Sequence, residues 1–471
     1  MTGRLRLFLP ALCPILLSAS SIASAGQMPG QAQSPFLGSV PTGQTTGATL
    51  PLSLKDALDR ALNYNLGLIE SDQDSRAARA VRLRELSALL PDVSARVSGS
   101  RQQINLRAMG FNVSLPGISL PSVVGPFGVM DARLYLSQPI FNWSDLQRWK
   151  SAGEAERASR YSYRSDRDLV VLVAGNAYLM VIADHATVSS TAALVTTARA
   201  LYDRAVDRNK TGVIAGIDVL RAQVEMQTQQ QRLIAAENQL AIDKLALARV
   251  IGLPKAQEFE VTDAVPFAPL EGITVDQALD RAYATRPDYL SARAQVRAAE
   301  LARTSAAAAN YPSLSADANY GDIGSPNLGA ARETFSVALT LTVPIFQGTR
   351  VRADTLQADA ALNQRRAELA DLDGRIDQQV RTAFLNLTSS ADLVAVSQSN
   401  IGLADETLAQ SRDRFFAGIA DNLEVVQAQD SVAAASQSYI ASLYAYNFAK
   451  MSLAQAIGAA EESAVTYLGV K

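Results

Sequence analysis

The sequence is poor in the residues from which most metal sites and many catalytic sites are built. Its 471 residues include one cysteine, Cys13, and one histidine, His185. Metal sites made of cysteine and histidine clusters are therefore excluded, and so is a disulfide framework. A hydrolase triad would have to use His185, which disfavours an enzyme. Aromatic residues make up only 6% of a chain that is 48% hydrophobic, a balance that favours long alanine-rich helices over a compact aromatic core.

The charge balance also excludes classes of function. The formal net charge is −3, and a mildly acidic chain is a poor candidate for binding the phosphate backbone of nucleic acids. No glycine-rich phosphate loop follows a predicted strand, so we expect no nucleotide cofactor. The sequence predicts no catalytic, cofactor-binding or metal-binding residue.

Residues 1–25 have the order of parts that is typical of a secretory signal peptide. Arg4 and Arg6 give a positive start, and the apolar stretch Leu7–Leu17 follows them. The small residues Ala23–Ala25 form a cleavage site. We therefore expect the mature chain to leave the cytoplasm.

One position inside this segment and the composition just after it bear on anchoring. Leu12 precedes Cys13 where a lipoprotein signal would have a small residue, so lipidation is not expected and the mature chain has no cysteine. Residues 26–50 are rich in Gly, Pro, Ser, Thr and Gln. This composition predicts a flexible leader.

The rest of the chain is a tandem duplication. The segment Ala57–Ala61 recurs residue for residue as Ala278–Ala282, and further blocks recur in the same order. These pairs are Pro139–Phe141 with Pro344–Phe346, Ala222–Gln223 with Ala428–Gln429, and Ile251–Gly252 with Ile457–Gly458. The sequence therefore predicts a first repeat over residues 51–254, a linker over 255–272 and a second repeat over 273–471.

Each copy is predicted to contain a helix, two strands and two further helices. In the first copy the first helix begins after Ser53 and runs to about Leu90, before Pro91. Long helices then follow from Trp143 to about Asn209 and from Gln347 to about Phe415. Helices of this length span on the order of 100 Å.

One segment of the first long helix could be read as a membrane span. Leu169–Ala183 is apolar but shorter than the ~18 residues that a membrane span requires, and it contains Gly175 and Asn176. A packed seam between helices accounts for it better.

Four segments alternate between apolar and polar residues, which predicts four strands of about ten residues. They are residues 93–98, 130–137, 314–320 and 335–343. Such strands are typical of a transmembrane β-barrel, but alternation alone leaves a soluble sandwich open. Four strands are too few for a barrel, which needs about eight. A cyclic homo-oligomer would supply the rest, with eight strands from two copies or twelve from three.

Four motifs, taken together with the duplication, resemble the TolC family of outer-membrane efflux factors. Two lie at the predicted strand-to-helix junctions, Gln138–Asn142 and Val343–Gly348, and two at the helix turns, Thr211–Val219 and Ala417–Val425. The similarity extends over nearly the whole mature chain. It implies a trimeric 12-stranded β-barrel in the outer membrane, with four strands per chain, continued by an α-helical coiled-coil tunnel across the periplasm.

The same resemblance implies a function and partners. The chain would be the outer-membrane channel of a tripartite efflux or type I secretion system, a passive exit duct. It would assemble as a homotrimer in outer-membrane lipid and receive substrates from an inner-membrane transporter through a periplasmic adaptor, a membrane fusion protein.

Site residues follow from the resemblance in the helix turns and from alternation in the strands. The adaptor would dock at two turns, whose residues are Thr211, Gly212, Val213, Ala417, Gly418 and Ile419. The periplasmic aperture would be formed by Asp218, Glu424, Gln427 and Phe415. Alternation places five polar residues in the barrel lumen, namely Arg96, Asp131, Arg133, Asp317 and Asn319.

Three positions depart from the pattern of the family. Phe415 replaces a tyrosine and Ala420 an arginine of the polar latch, and Gln427 replaces a second acid of the aperture. We therefore expect packing to contribute more than a polar latch to the closed state.

Some alternatives stay open at this point. A periplasmic coiled-coil scaffold or adaptor would also need long helices, but it would not need alternating strands. Trp143 and Trp149 at the predicted strand-to-helix junction could form an interfacial aromatic belt or pack ordinarily. The sequence does not distinguish between drugs, metals and secreted proteins as substrates.

Overall fold

The computed structural model describes residues 34–110, 114–115, 118–119, 121–270, 272–325, 331–419 and 422–469. The expected signal peptide at 1–25, the first part of the expected leader and Ala420 lie outside these residues.

Helices dominate the described chain, and two of them are very long. The helices are α1 (Leu54–Tyr64), α2 (Leu66–Ser87), α3 (Trp143–Lys210), α4 (Gly216–Val250), α5 (Val275–Thr285), α6 (Pro287–Ala307), α7 (Arg350–Phe416), α8 (Asn422–Ala456) and α9 (Ala460–Leu468). The strands are β1 (Leu50–Leu52), β2 (Asp92–Asn105), β3 (Ser114–Leu115), β4 (Ile118–Ser119), β5 (Val123–Phe141), β6 (Phe259–Val261), β7 (Ser313–Gly324) and β8 (Arg332–Thr342).

The prediction of one continuous first helix in each copy is wrong, because each is broken once. Asn65 separates α1 from α2: its backbone is extended, and its side chain accepts a hydrogen bond from the Gly67 amide at 2.9 Å. Arg286 occupies the same place in the second copy, and Pro287 begins α6 there. Both residues are buried, at 0% and 4% exposure. Buried polar groups must be hydrogen-bonded, and Asn65 and Arg286 meet this requirement through main-chain and side-chain partners.

The four main strands form one antiparallel sheet in the order β2-β5-β7-β8. The strands are longer than the ten residues expected, with 19 in β5 and 14 in β2. The loop between the predicted strands 93–98 and 130–137 is accordingly shorter than their spacing indicates, because β5 already begins at Val123 and pairs with Asn105. The two-residue strands β3 and β4 pair within that loop. Since the sheet is open, β2 and β8 each have an unpaired edge within the described chain.

The duplicated segments occupy equivalent places in the structure, each packed against the middle of a long helix. In the first copy Ala57, Leu58 and Ala61 of α1 are at most 5% exposed and belong to a core with α3. In the second copy Ala278 and Ala282 of α5 are fully buried in an equivalent core with α7. Small alanines bring the short helix close to the long one.

The segment before the first repeat packs against both ends of that repeat and against the linker that follows it. β1 pairs in parallel with β6, and the Thr42 amide donates to the Gly252 carbonyl at 3.2 Å. The Val40 amide donates to the Tyr64 carbonyl at 2.9 Å. The expected flexible leader therefore does not include residues 34–50, which are held by main-chain hydrogen bonds. The expected linker likewise contains a paired strand.

Among the described residues, α3 alone has a stretch long and apolar enough to cross a membrane. Its central residues are covered by protein: Val170 and Ala174 are fully buried in the core with α1. Tyr178 is fully buried as well, and its hydroxyl donates to the Leu52 carbonyl at 2.9 Å. Packing inside the protein explains why this part of α3 is apolar.

Candidate functional site

The consecutive helices α3 and α4 form one long hairpin, and α7 and α8 form a second one. The two hairpins end in turns of the same geometry. Gly212 and Gly418 have φ angles of +76° and +73°, a left-handed conformation that glycine adopts without steric cost. The Val213 amide donates to the Arg208 carbonyl at 2.9 Å, and the Ile419 amide donates to the Arg414 carbonyl at 3.0 Å. These are the bonds of a Schellman motif, which caps the last carbonyls of a helix.

The residues of both turns are exposed and partly apolar. All six predicted docking residues, Thr211, Gly212, Val213, Ala417, Gly418 and Ile419, are exposed. Val213 is 59% and Ile419 is 73% exposed. An exposed branched aliphatic side chain at each turn leaves apolar surface available for contact.

Phe415 is buried next to the second turn, although it lies close to the end of the hairpin. It is 3% exposed and belongs to an apolar cluster with Leu201, Leu408, Val425 and Val432, which we name the tip cluster. The cluster combines residues of α3, α7 and α8. Phe415 thus joins the two hairpins by packing.

Two arginines of α3 complete this junction, and neither was predicted from the sequence. Arg208 Nη1 donates to the Phe415 carbonyl at 2.9 Å, and its guanidinium lies 5.2 Å from the centre of the Phe415 ring. The guanidinium of Arg204 lies 4.4 Å from the centre of the Phe416 ring. Such contacts contribute about 0.5–1 kcal/mol each at exposed sites. An arginine in the last turns of a long helix is common, so the sequence held no specific signal for them.

The two predicted aperture acids begin the return helices and have basic partners within the chain. Asp218 lies in the first turn of α4, with Oδ1 3.4 Å from Arg221 Nη1. Glu424 lies in the first turn of α8, with Oε1 3.5 Å from Arg414 Nε and 3.4 Å from Ser411 Oγ. A carboxylate at a helix start is stabilised by the helix dipole. Gln427 is exposed one turn after Glu424.

The predicted aperture residues come from both hairpins. Glu424 and Phe415 belong to the same hairpin and are connected through Arg414, the neighbour of Phe415. Asp218 belongs to the other hairpin.

At the other end of the molecule, the sheet separates polar from apolar side chains. The register pairs Arg96 with Arg133, Tyr135 with Asn319, and Ser137 with Asp317, so the predicted lumen residues share one face. Arg133 pairs with Asp131 and lies 3.3 Å from Asn319 Oδ1. Ser137 Oγ donates to Asp317 at 2.7 Å. The guanidinium of Arg96 lies 5.2 Å from the Tyr135 ring centre.

The opposite face of the sheet is apolar and uncovered. Phe335 and Val337 of β8 are 78% and 77% exposed, and Leu339 and Leu341 are 69% and 64% exposed. Single apolar residues are normal on a protein surface, but a contiguous row of large exposed ones marks a surface that contacts something apolar. This exposure contradicts a soluble sandwich, whose apolar face would be buried, and it fits contact with lipid.

Comparisons with known proteins agree with this geometry. The chain is 26% identical over 436 residues to the toluene efflux pump outer membrane protein TtgC of Pseudomonas putida, a match that covers 86% of this chain and 83% of that protein. It is 23% identical over 349 residues to the outer membrane protein TolC of Escherichia coli, with 70% of each chain covered. The CmeC outer membrane channel of Campylobacter jejuni has the same fold, with a TM-score of 0.74 at 16% identity over 92% of this chain and 94% of that one.

The resemblance found in the sequence is confirmed by a family model. The model described as outer membrane efflux protein matches residues 57–253 and 278–459, one stretch in each repeat. The chain therefore belongs to the outer membrane efflux protein family, the TolC-like outer-membrane channels of efflux pumps and type I secretion systems.

Proposed function

We propose that three copies of this chain close into one 12-stranded barrel and form a passive exit duct through the outer membrane. The observation that carries this proposal is the sheet itself, with an apolar face exposed along its length and an open edge on either side. Unpaired strand edges cannot stay in lipid, because each unsatisfied backbone group costs several kcal/mol there. Pairing β8 of one chain with β2 of the next satisfies both edges in a closed ring.

The number of chains follows from the strand count. Two chains would give eight strands, whose interior is filled by side chains, whereas twelve strands leave an open lumen. The polar face that carries Arg96, Arg133 and Asn319 would line this lumen. The apolar face with Phe335 and Val337 would contact outer-membrane lipid.

The helices would continue this lumen into the periplasm as a tunnel. With α3 and α7 at 68 and 67 residues, and a rise of ~1.5 Å per residue, the tunnel would be about 100 Å long. The duct would perform no catalysis. Direction and energy would come from an inner-membrane transporter, and the substrate, a drug, a metal ion or a secreted protein, would be selected largely there.

The turns at the far end are the proposed contact for a periplasmic adaptor. Their support is the matching geometry of the two turns, which offers an adaptor equivalent surfaces at Val213 and Ile419. The residues Asp218, Glu424, Gln427 and Phe415 would lie around the periplasmic aperture. Three copies of each carboxylate would favour cations in the pore.

A mass measurement in detergent tests the assembly. The purified full chain in dodecyl maltoside should elute from size-exclusion chromatography with light scattering at the protein mass of three chains. It should also fractionate with the outer membrane. A stable monomer or dimer in native membranes would overturn the trimer, and a soluble periplasmic protein would support a coiled-coil scaffold instead.

A further inference from the structure

A groove lined by basic residues lies between α2, α3 and α6, near the end of α3 that follows the sheet. Two adjoining cavities of about 480 and 330 Å³ share Arg82, Trp149, Glu156 and Arg160 and together form what we name the Arg82 groove. Its walls come from α2, α3 and α6. None of the predicted channel residues lines it.

The groove carries a clear excess of positive charge. Two carboxylates line it, Glu154 and Glu156, against six cationic side chains. The cations are Arg79, Arg82, Lys150, Arg157, Arg160 and Arg297. Arg157 pairs with Glu154 at 3.1 Å, and Arg297 lies 3.9 Å from Glu300. The net positive charge that remains in this concave site favours a ligand with negative charge.

The internal ion pairs hold the cationic groups in place instead of neutralising all of them. Glu156 is 2% exposed, and it accepts a hydrogen bond from Arg82 Nη1 at 3.0 Å and a second one from Arg160. Burial alone would raise the pKa of Glu156, but the hydrogen bonds from Arg82 and Arg160 lower it overall. One buried carboxylate thus orients two guanidinium groups, and each guanidinium has further N–H donors besides the one that bonds Glu156.

Arginine side chains that are oriented by a buried carboxylate are well suited to oxyanions. The guanidinium fork matches the geometry of phosphate oxygens, and a pair of oriented arginines can contact one phosphate group together. The Arg82 guanidinium also lies 5.7 Å from the centre of the Trp149 ring, which restricts it further.

The place of the groove along the molecule indicates where such a ligand would come from. Trp149 is six residues from the start of α3 at Trp143, so it lies about 9 Å from the end of the sheet. If the sheet spans the membrane, as in the proposed function on which this step rests, that distance corresponds to the headgroup layer. Leu83 at 56% and Leu90 at 50% exposure add apolar surface on α2 and just beyond it, and the combination of Arg, Trp and Leu is typical of a membrane interface.

We propose that the Arg82 groove binds a phosphate-bearing anion, as an anionic phospholipid headgroup presents it at the periplasmic surface of the outer membrane. The headgroup phosphate lies between the guanidinium groups of Arg82 and Arg160. Lys150 and Arg297 at the rim attract it. A soluble phosphate compound offers the same chemistry, and the experiment separates these two sources.

Tryptophan fluorescence gives a direct readout, because the chain has two tryptophans and Trp143→Phe leaves Trp149 alone. The full-length protein with this change is purified in dodecyl maltoside and titrated with dihexanoyl phosphatidylglycerol, with dihexanoyl phosphatidylcholine and with inorganic phosphate. We expect saturable changes with phosphatidylglycerol and far weaker ones with phosphatidylcholine. Inorganic phosphate that competes at equal concentration would identify a soluble anion as the ligand.

A pair of variants on α3 and α6 tests whether the groove is responsible. K150Q/R297Q removes two rim charges and keeps both partners of Glu156, and it should weaken phosphatidylglycerol binding by about tenfold or more. R148Q/R303Q is the matched control, with the same loss of charge from the same two helices at residues that do not line the groove. Its binding should stay within about twofold of the unsubstituted protein.

The proposal is overturned if neither phosphatidylglycerol nor phosphate changes the fluorescence of Trp149, or if the control pair loses as much affinity as the rim pair. Chromatographic mass and channel conductance are measured on the same samples. A trimer that conducts but does not bind the anion would overturn the groove alone, whereas failure to form a conducting trimer would count against the proposed function.

Discussion

Removal of the Phe415 side chain should loosen the periplasmic end of the molecule. Phe415 is 3% exposed in the tip cluster, and truncation of a buried phenylalanine to alanine costs about 3–5 kcal/mol. We take about 3 kcal/mol for Phe415→Ala, because the cluster lies close to the solvent-exposed turns. Since 1.4 kcal/mol is a factor of ten, local opening of the tip should become roughly a hundredfold more frequent.

The change should be visible in planar bilayers as higher single-channel conductance and more frequent open events. Phe415→Leu is the matched control. It keeps an apolar side chain but loses the ring that faces Arg208, so its cost should be less than about 1.5 kcal/mol and its conductance close to that of the parent. Amide hydrogen exchange of residues 408–416 should increase in the alanine variant and much less in the leucine variant.

The alanine variant must first be shown to fold, by its mass in detergent and by circular dichroism. A correctly assembled Phe415→Ala protein with unchanged conductance and unchanged exchange at the tip would refute the reasoning. It would show that the tip cluster does not hold the two hairpins together.

Three further predictions concern titration, turn geometry and charge. Burial, together with a hydrogen bond to Asp243 and repulsion from its carboxylate, raises the pKa of Asp184 to about 7. Because the unfolded chain releases this proton near pH 4 and the folded protein only near pH 7, the folded protein loses stability as the pH rises through this range. Asp184→Asn should therefore raise the melting temperature more at pH 8 than at pH 5. An equal gain at both values would contradict this. Gly418→Ala should destabilise the turn by about 1–2 kcal/mol because φ is +73°. Gly402→Ala, in a helix interior, should instead stabilise the protein by about 0.5–1 kcal/mol. Urea unfolding compares the stability of the two variants, and equal effects would contradict the turn geometry. Glu424→Ala should reduce cation selectivity, and the double variant with Asp218→Ala should also show higher conductance. The change in selectivity should fade near 1 M salt, where the Debye length is ~3 Å. Unchanged bilayer recordings of the double variant would show that both acids only begin their helices.

The features that the sequence determined are those encoded in short-range patterns. Alternation with a period of two placed Arg96, Asp131 and Arg133 on one face of the sheet, since side chains on a strand point to opposite faces in turn. The repeated segment Ala57–Ala61 indicated the duplication. Gly212 marked a helix end because it can adopt the left-handed conformation that the turn requires. Each of these signals depends on neighbouring residues alone.

Other features depend on which distant segments meet, and local patterns do not contain this information. The breaks at Asn65 and Arg286 are stable because both buried side chains find partners far away in the chain, such as the Phe36 and Ala456 carbonyls. At Arg286 a local signal contributes as well, because Pro287 has no amide hydrogen and restricts the backbone of the residue before it. The length of β5 was set in the same way, by pairing with β2 and β7 beyond the alternating segment.

The functional surfaces show the same division. The two glycine turns were visible in the sequence, but the contact of Arg208 with Phe415 arises only when two hairpins 207 residues apart pack side by side. The Arg82 groove likewise needs three helices from both repeats, and its arginines look like ordinary surface charges in the sequence. Only the tertiary structure buries Glu156 between two of them, and it is burial that turns a common pair of charges into an oriented site.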